Sequence, residues 1–174
     1  MTVQTALQQG SRILEQAGDP VARLTSEVLL CHALGCDRAW LYAHGTDPVP
    51  AAAHERFRRC LAERVGGRPT QYVTGRQEFY GRQFLVTPEV LIPRPETEHV
   101  VEAVLAMREG VRRVVDVGCG SGAIAVTLAL ELSGVEIWGT DISPAALHVA
   151  AGNARRLGAG VQFADRKSTR LNSS

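Results

Sequence analysis

A short glycine-rich turn between two apolar segments constrains this chain more than any other feature. Residues 114–117 (Val-Val-Asp-Val) are typical of a buried strand, and residues 118–122 (Gly-Cys-Gly-Ser-Gly) follow directly. The apolar run over residues 123–130 then predicts a helix. Because glycine lacks a Cβ, the backbone can turn sharply and a ligand can approach it closely. The N–H groups that begin the helix face the same space, which predicts a nucleotide-type cofactor site at the carboxyl end of a parallel strand.

Strands and helices alternate through the second half of the chain. We expect a helix over about 95–107, a strand over 114–117, a helix over 122–131, a strand over 135–140, a helix from Ser143 and a third strand from Val161. The pair Ser143-Pro144 is typical of a helix start, since a capping hydroxyl precedes a proline suited to the first turn. The alternation predicts an α/β fold with an open parallel sheet and right-handed crossovers.

The first 70 residues are predicted to be helical, and residues 71–92 to form an extended, hairpin-like segment. Apolar residues recur at helical spacing in the first two helices: Leu7, Ile13, Leu14 and Ala17, then Val21, Leu24, Val28, Leu29 and Ala33. A third helix opens at Pro50 and closes at Gly66-Gly67. Its arginines predict a solvated face, with a contact surface for an acidic or RNA-bearing partner as the alternative: Arg56, Arg58, Arg59 and Arg64.

Composition places the chain among globular proteins. With 45% hydrophobic and 21% charged residues it can bury a core and is not disordered by composition. The four cysteines form no Cys-x-x-Cys pair and the five histidines are scattered, so free thiols are expected and a zinc site is not. We find no apolar run of about 18 residues for a membrane span and no signal peptide. The cytoplasm is therefore the expected compartment.

The last ten residues, 165–174, depart from the rest of the sequence. Lys167 is the only lysine, and the stretch can be encoded by a string that resembles a common sequencing-adapter read. We interpret it as adapter-derived and non-native; a polar, frayed C-terminus is the alternative. It carries three positive side chains and one negative, so removing it changes the formal net charge from +1 to −1. Without this stretch the chain has no excess of basic residues that would suggest direct nucleic-acid binding.

The glycines alone do not identify the cofactor. Gly118, Gly120 and Gly122 fit Gly-x-Gly-x-Gly, but Ala123 also satisfies a relaxed dinucleotide fingerprint, Gly-x-Gly-x-x-Ala. Asp141 ends the second strand, where a carboxylate can accept hydrogen bonds from both ribose hydroxyls. Both S-adenosylmethionine and NAD carry that ribose, so both cofactors stay open on this evidence.

Asp116 discriminates somewhat better. A carboxylate two residues before the first glycine can support the turn and the cationic methionine end of S-adenosylmethionine, whereas in a dinucleotide fold it would lie near a pyrophosphate. The alternative is that Asp116 caps local N–H groups and Asp141 caps the helix that starts at Ser143. Cys119 is interpreted as a small turn residue without chemistry of its own.

Several motifs occur together in an order that resembles one family. These are Gln-Tyr-Val-Thr-Gly at 71–75, Glu-Phe-Tyr-Gly at 78–81, Leu-Ile-Pro-Arg-Pro-Glu-Thr-Glu at 91–98, the 116–122 turn, and Thr-Asp-Ile-Ser-Pro-Ala-Ala-Leu at 140–147. Residues 10–164 resemble the N-terminal part of the protein-(glutamine-N5) methyltransferases that act on peptide chain release factors (the HemK/PrmC family). Many methyltransferases share the glycine motif, but the 91–98 segment is much more specific.

The resemblance implies a domain order and a set of roles. It implies a helical release-factor-recognition domain over 1–70, a hairpin-like linker over 71–94 and an incomplete Rossmann-like methyltransferase domain over 95–164. It also implies S-adenosyl-L-methionine as cofactor and class 1 release factors as partners, methylated on the glutamine of a Gly-Gly-Gln motif. The implied cofactor-binding residues are Gly118, Cys119, Gly120, Ser121, Gly122, Asp141, Asp116, Arg94, Glu96 and Thr97.

No catalytic residue is assigned, because the family's substrate motif Asn-Pro-Pro-Tyr does not occur in this sequence. We therefore expect the 174-residue chain to have negligible turnover. Two other hypotheses stay open: a different S-adenosylmethionine-dependent methyltransferase, acting on a ribosomal-protein glutamine or a nucleobase amine, and a non-catalytic nucleotide-binding module. An NAD-dependent dehydrogenase is the least favoured alternative.

Overall fold

The computed structural model of the chain describes residues 1–165, which fall into two compact units. The first unit is Met1–Thr74, and the second begins at Gly75. Within the described residues, no helix has the length and apolar character needed to cross a membrane. Of the stretch interpreted as adapter-derived, residues 166–174 lie outside the described residues.

The first unit is helical, as the sequence predicts for the first 70 residues; residues 71–74, predicted to be extended, are helical as well. Its helices are α1 Val3–Gln16, α2 Ala22–Leu34, α3 Arg38–Ala43, α4 Ala51–Val65 and α5 Thr70–Thr74. Helices α1, α2 and α4 cross closely at Gly10, where a Cβ would lie 2.4 Å from Ser26 Oγ and 2.6 Å from Phe57 Cζ. Only glycine fits this crossing without moving its neighbours.

The apolar faces expected for α1 and α2 are partly wrong. Leu14 and Leu29 are buried, but Ile13, Val21 and Leu24 are about half exposed. Helix α2 begins only at Ala22, after a turn, so Val21 lies at its N-cap and not on its packed face. The core uses α1 positions that include a small residue and a glycine, which a search for large apolar residues does not find.

Two arginines of α4 hold neighbouring segments, which corrects the expectation of a uniformly solvated face. Arg56 donates from Nε and Nη2 to Ala33 O, at 3.0 and 2.8 Å, near the carboxyl end of α2. Arg64 pairs with the buried Asp19 at 2.9 Å, and Asp19 Oδ1 also accepts from the Val21 N–H. These contacts fix the α1–α2 turn and the end of α2 against α4.

The second unit opens with an antiparallel hairpin. Strands β1 (Arg76–Phe79) and β2 (Arg82–Leu85) pair with Phe79 opposite Arg82. Phe79 and Phe84 are fully buried and meet edge to face, with ring centroids 6.0 Å apart. Both belong to the core of the second unit. The hairpin expected within the 71–94 segment is therefore packed into that core.

A short 3-10 turn, Pro95–Thr97, and helix α6, Glu98–Ala106, lead into the parallel sheet. The remaining elements are β3 Arg113–Val117, α7 Ala123–Glu131, β4 Glu136–Asp141, α8 Pro144–Leu157 and β5 Val161–Asp165. The three strands are parallel in the order β3-β4-β5. Ser143 Oγ caps α8 by accepting from the Ala146 N–H at 3.2 Å. The predicted α/β fold with a parallel sheet is confirmed.

The two faces of this sheet differ in burial. Ile137 lies on the face packed by helices and is 1% exposed. On the opposite face, Val115 is 50% and Val117 64% exposed, and their sheet partners are Trp138 and Thr140. In the described residues the apolar core of the second unit therefore lies on one side of the sheet.

The difference between the two faces predicts different costs of truncation. Ile137→Ala should lower the free energy of unfolding by about 2–5 kcal/mol because it leaves a cavity, whereas Val117→Ala should change it by less than about 0.5 kcal/mol. Urea unfolding in a Trp40→Phe background, followed by the fluorescence of Trp138, reports on the second unit. Equal losses from the two variants would show that the outer face is covered in solution.

Candidate functional site

The glycine-rich loop joins β3 to α7 at the carboxyl end of the sheet. Its three glycines are all left-handed, with φ of 82° at Gly118, 53° at Gly120 and 78° at Gly122. The N–H groups of Gly118 and Cys119 both donate to Thr140 O, at 2.7 and 2.9 Å. These bonds anchor the loop to the end of β4. The turn predicted from the sequence is thus formed at the predicted place.

The loop glycines serve two different packing needs. A Cβ on Gly122 would lie 3.0 Å from the Cβ of Ala150, so this glycine allows α7 and α8 to approach closely. A Cβ on Gly118 or Gly120 would meet nothing within 4 Å. The space beside these two glycines is therefore open to a ligand that approaches the main chain.

The start of α7 offers unpaired hydrogen-bond donors. The N–H of Gly122 donates to Cys119 O at 2.7 Å, whereas those of Ser121, Ala123 and Ile124 have no acceptor among residues 1–165. Free N–H groups at a helix N-terminus favour an anionic or electron-rich ligand group. This geometry fits the cofactor site predicted from the sequence.

Asp141 lies at the end of β4 and holds two loops. Its Oδ2 accepts from the Gly120 N–H at 3.0 Å, and its Oδ1 accepts from the Ser143 N–H at 2.9 Å. The capping role considered for Asp141 is therefore present. Each carboxylate oxygen has a second lone pair, so these bonds leave acceptor capacity for ligand hydroxyls.

Asp116 lies on β3 and supports the first turn of α7. Its Oδ2 accepts from the Ala125 N–H at 3.2 Å. Burial raises the pKa of Asp116, the negative charge of Asp141 raises it further, and the Ala125 N–H partly offsets both. A cation placed near this carboxylate would favour its ionised form.

Cys119 has the inert character expected from the sequence. Its side chain is 7% exposed, and burial together with the nearby carboxylates of Asp116 and Asp141 raises its pKa to about 12. The thiol is therefore protonated at neutral pH and is not a nucleophile. Among residues 1–165, no group of three or more His, Cys, Asp or Glu side chains is placed to hold a metal ion.

The segment from Arg94 to Thr97 lies at the start of α6. Arg94 and Glu96 are exposed, and the Thr97 N–H donates to Arg94 O at 3.0 Å. Within the described residues, no hydrogen bond or ion pair joins Arg94, Glu96 or Thr97 to the glycine-rich loop. The structure thus brings Asp116 and Asp141 to the loop but does not link this segment to it.

Two residues that tie the hairpin to the rest of the second unit are not predicted from the sequence. Glu98 accepts from the Tyr80 N–H at 2.8 Å and ties the hairpin turn to α6. Asn153, on α8, bonds to both Leu85 and Ser121. Both residues bond to partners that are distant in the sequence, so no local sequence pattern predicts these contacts.

A second group of interacting polar side chains lies in the helical unit. Glu27 is almost fully buried and accepts from Arg23 at 3.2 Å, from Arg38 at 3.0 Å and from the Tyr42 hydroxyl at 2.5 Å. Burial alone would raise the pKa of Glu27, but the hydrogen bonds from Tyr42 and Arg38 outweigh it and the pKa is lowered. Two cavities, of about 460 and 390 Å³, both include Arg23 and Glu27 in their walls.

Comparison with known proteins gives separate matches for two parts of the chain. Residues 5–75 match the model of the PrmC N-terminal domain, and residues 110–173 match a methyltransferase domain. Release factor glutamine methyltransferases from Koribacter versatilis and Bordetella pertussis are each 50% identical, over 94% and 83% of this chain. The Bacillus subtilis enzyme is 44% identical over 93% of the chain.

The chain is similar to the release factor glutamine methyltransferases. Its resemblance to their N-terminal part is confirmed, and it spans 59%, 54% and 58% of the length of those three relatives. Among solved structures, the tRNA (uracil-54, C5)-methyltransferase of Pyrococcus abyssi aligns with a TM-score of 0.46 at 19% identity, over 57% of this chain and 25% of that chain.

The raised pKa of Asp116 predicts a pH-dependent stability. A carboxyl whose pKa is raised on folding contributes stability below its ordinary range, and this contribution is lost as pH rises through the folded-state pKa. Asp116→Asn keeps an oxygen for the Ala125 N–H and has no charge. We expect the variant to be more stable than the original chain at pH 7, with the gap closing towards about pH 4.

Urea unfolding followed by far-UV circular dichroism at both pH values checks this prediction. Glu136→Gln, on the same sheet, is a control of opposite sign. Hydrogen bonds from Trp138 and Arg113 lower the pKa of Glu136, so removing that charge should not stabilise the protein at pH 7. A loss of stability in Asp116→Asn at pH 7 would show that the ionised carboxylate is favourable in the folded state.

Proposed function

We propose that the chain is the N-terminal part of an S-adenosylmethionine-dependent methyltransferase. Its substrate would be the N5 nitrogen of the glutamine in the Gly-Gly-Gln motif of peptide chain release factors. The observation that carries the proposal is the glycine-rich loop, with free N–H groups and Asp141 beside it, in a chain about 50% identical to release factor glutamine methyltransferases. We take the substrate class from those relatives, which are release factor glutamine methyltransferases.

The residues around the loop fit S-adenosylmethionine. The space beside Gly118 and Gly120 is open, and N–H groups at the start of α7 are free, so this part of the loop would contact the main body of the cofactor. Asp141 would accept hydrogen bonds from the ribose hydroxyls. Asp116 would face the cationic methionine end, where a positive charge would favour its ionised form. When bound, this cofactor supplies a methyl group on a positively charged sulfur. We keep Arg94, Glu96 and Thr97 as proposed neighbours of the cofactor, on the resemblance alone.

The acceptor chemistry defines what the rest of the site must do. An amide nitrogen is a poor nucleophile because its lone pair is delocalised into the carbonyl. Transfer then depends on aligning nitrogen, methyl and sulfur and on hydrogen bonds that favour the polarised amide. The Asn-Pro-Pro-Tyr segment that would supply those bonds does not occur among the 174 residues. The described site is therefore proposed as the cofactor half of an active site.

We propose that the helical unit recognises the release factor. The match of residues 5–75 to the PrmC N-terminal domain supports this division of labour. The proposed order stays helical domain 1–70, linker 71–94 and methyltransferase domain 95–164. Deleting residues 1–70 from the complete protein should raise the KM for a release factor and leave cofactor affinity unchanged.

Asp141→Ala should weaken binding of S-adenosylmethionine and S-adenosylhomocysteine by about 1–3 kcal/mol, since ligand hydroxyls lose their acceptor. Isothermal titration calorimetry of the chain measures this loss. Glu136→Ala, at the other end of β4, is the matched control and should leave affinity unchanged. An unaltered affinity in Asp141→Ala would remove Asp141 from the site, and tighter binding of NAD than of S-adenosylmethionine would overturn the methyltransferase proposal.

The 174-residue chain should give negligible methyl transfer to a release factor, because the amide-holding motif is absent from its sequence. The assay follows label from methyl-tritiated S-adenosylmethionine into a purified class 1 release factor. A release factor with the Gly-Gly-Gln glutamine replaced by alanine gives the background. Robust incorporation above that background would show that the chain itself can position the acceptor glutamine of the release factor.

A further inference from the structure

Asn153 is a fully buried polar residue among small apolar neighbours on α8. Its exposed fraction is 0%, and Ala150 and Ala154 on the same helix are also buried. Asparagine is a poorer helix former than alanine, and a buried amide is unfavourable unless it is hydrogen-bonded. A residue of this kind inside a helix therefore acts through its polar partners.

The side chain of Asn153 joins three segments of the second unit. Its Nδ2 donates to Leu85 O at 2.9 Å and to Ser121 O at 3.0 Å, and its Oδ1 accepts from the Leu85 N–H at 2.8 Å. Both donors and the acceptor of the amide are thus engaged. Through them, α8 holds the end of strand β2 and the Ser121 carbonyl of the glycine-rich loop.

The contact with the loop fixes one peptide plane from both sides. The carbonyl of Ser121 and the N–H of Gly122 belong to the same planar peptide group. Asn153 holds the carbonyl end at 3.0 Å, and Cys119 O holds the N–H end at 2.7 Å. Since neighbouring Gly120 and Gly122 both adopt left-handed φ, this plane sets the direction in which the adjacent free N–H groups point.

We propose that Asn153 is a positioning residue for the cofactor-binding loop. It holds the Ser121–Gly122 peptide so that the N–H groups of Ser121 and Ala123 face the ligand space, and it couples that orientation to the hairpin through Leu85. The inference rests on the proposed function for its ligand, S-adenosylmethionine. The orientation of the loop itself is a property of the ligand-free chain.

The first test measures amide hydrogen exchange by NMR in the ligand-free 174-residue chain. In Asn153→Ala, the amide of Gly122 should exchange at least tenfold faster relative to the amide of Ile137, which reports general opening of the sheet. Arg156→Ala is the control. Arg156 contacts Gln83 O on the same hairpin and Asn153 Oδ1 at 3.4 Å but not Ser121, so its loss leaves both hydrogen bonds donated by Asn153 Nδ2 in place. An unchanged ratio in Asn153→Ala, or an equal rise in Arg156→Ala, would overturn the proposal.

Asn153→Asp keeps the proposal testable if the alanine variant does not fold. The aspartate can still accept from the Leu85 N–H but, when ionised, it cannot donate to Ser121 O. The Gly122 exchange ratio should therefore rise at neutral pH and return towards that of the original chain, measured at the same pH, when the carboxyl is protonated. A ratio that does not respond to pH would contradict a role through the donated hydrogen bond.

Calorimetry with S-adenosylhomocysteine provides the second test. Affinity should fall at least tenfold in Asn153→Ala and less than twofold in Arg156→Ala. If Asn153→Ala loosens the loop but binds as tightly as the original chain, the positioning role is wrong. If the original chain binds no S-adenosylhomocysteine while exchange at Gly122 depends on Asn153, the proposed function fails and the loop-holding role stands.

Discussion

The second unit depends on the passage from strand β3 to helix α7 within five residues. Three of those residues adopt left-handed φ, which costs about 1–2 kcal/mol for each residue with a side chain and little for glycine. The turn places the start of α7 at the end of β3. It also brings Gly122 against Ala150, so that α7 and α8 pack closely on one face of the sheet. The loop geometry and the helix packing therefore share one constraint.

Two side chains from different elements hold this loop, one by accepting a hydrogen bond from it and the other by donating one to it. Asp141, at the end of β4, accepts from an N–H of the loop at Gly120, and Asn153, on α8, donates to a carbonyl of the loop at Ser121. Backbone bonds to Thr140 secure the beginning of the loop. Residues at the end of β4 and on α8 thus both hold the loop in place.

The parts of the fold that the sequence predicts are those set by local chemistry. The strand, glycine turn and apolar helix at 114–130 and the Ser143-Pro144 helix start each depend on residues only a few positions apart. The contacts missed depend on distant partners, such as Glu98 with Tyr80 and Asn153 with Leu85. Tertiary packing decides which polar side chain contacts which backbone group. The spacing of residues along the chain therefore does not predict these contacts.

The two hydrogen bonds that Asp141 accepts have a thermodynamic consequence for the proposed ligand binding. Its carboxylate accepts hydrogen bonds from the N–H groups of Gly120 and Ser143, which hold its rotamer in place, so the proposed ribose would meet an already ordered side chain. Ordering a mobile interface side chain on binding typically costs about 0.5–1.5 kcal/mol. At this position that entropy has been lost during folding, so the carboxylate would meet the proposed ligand as a rigid part of the scaffold.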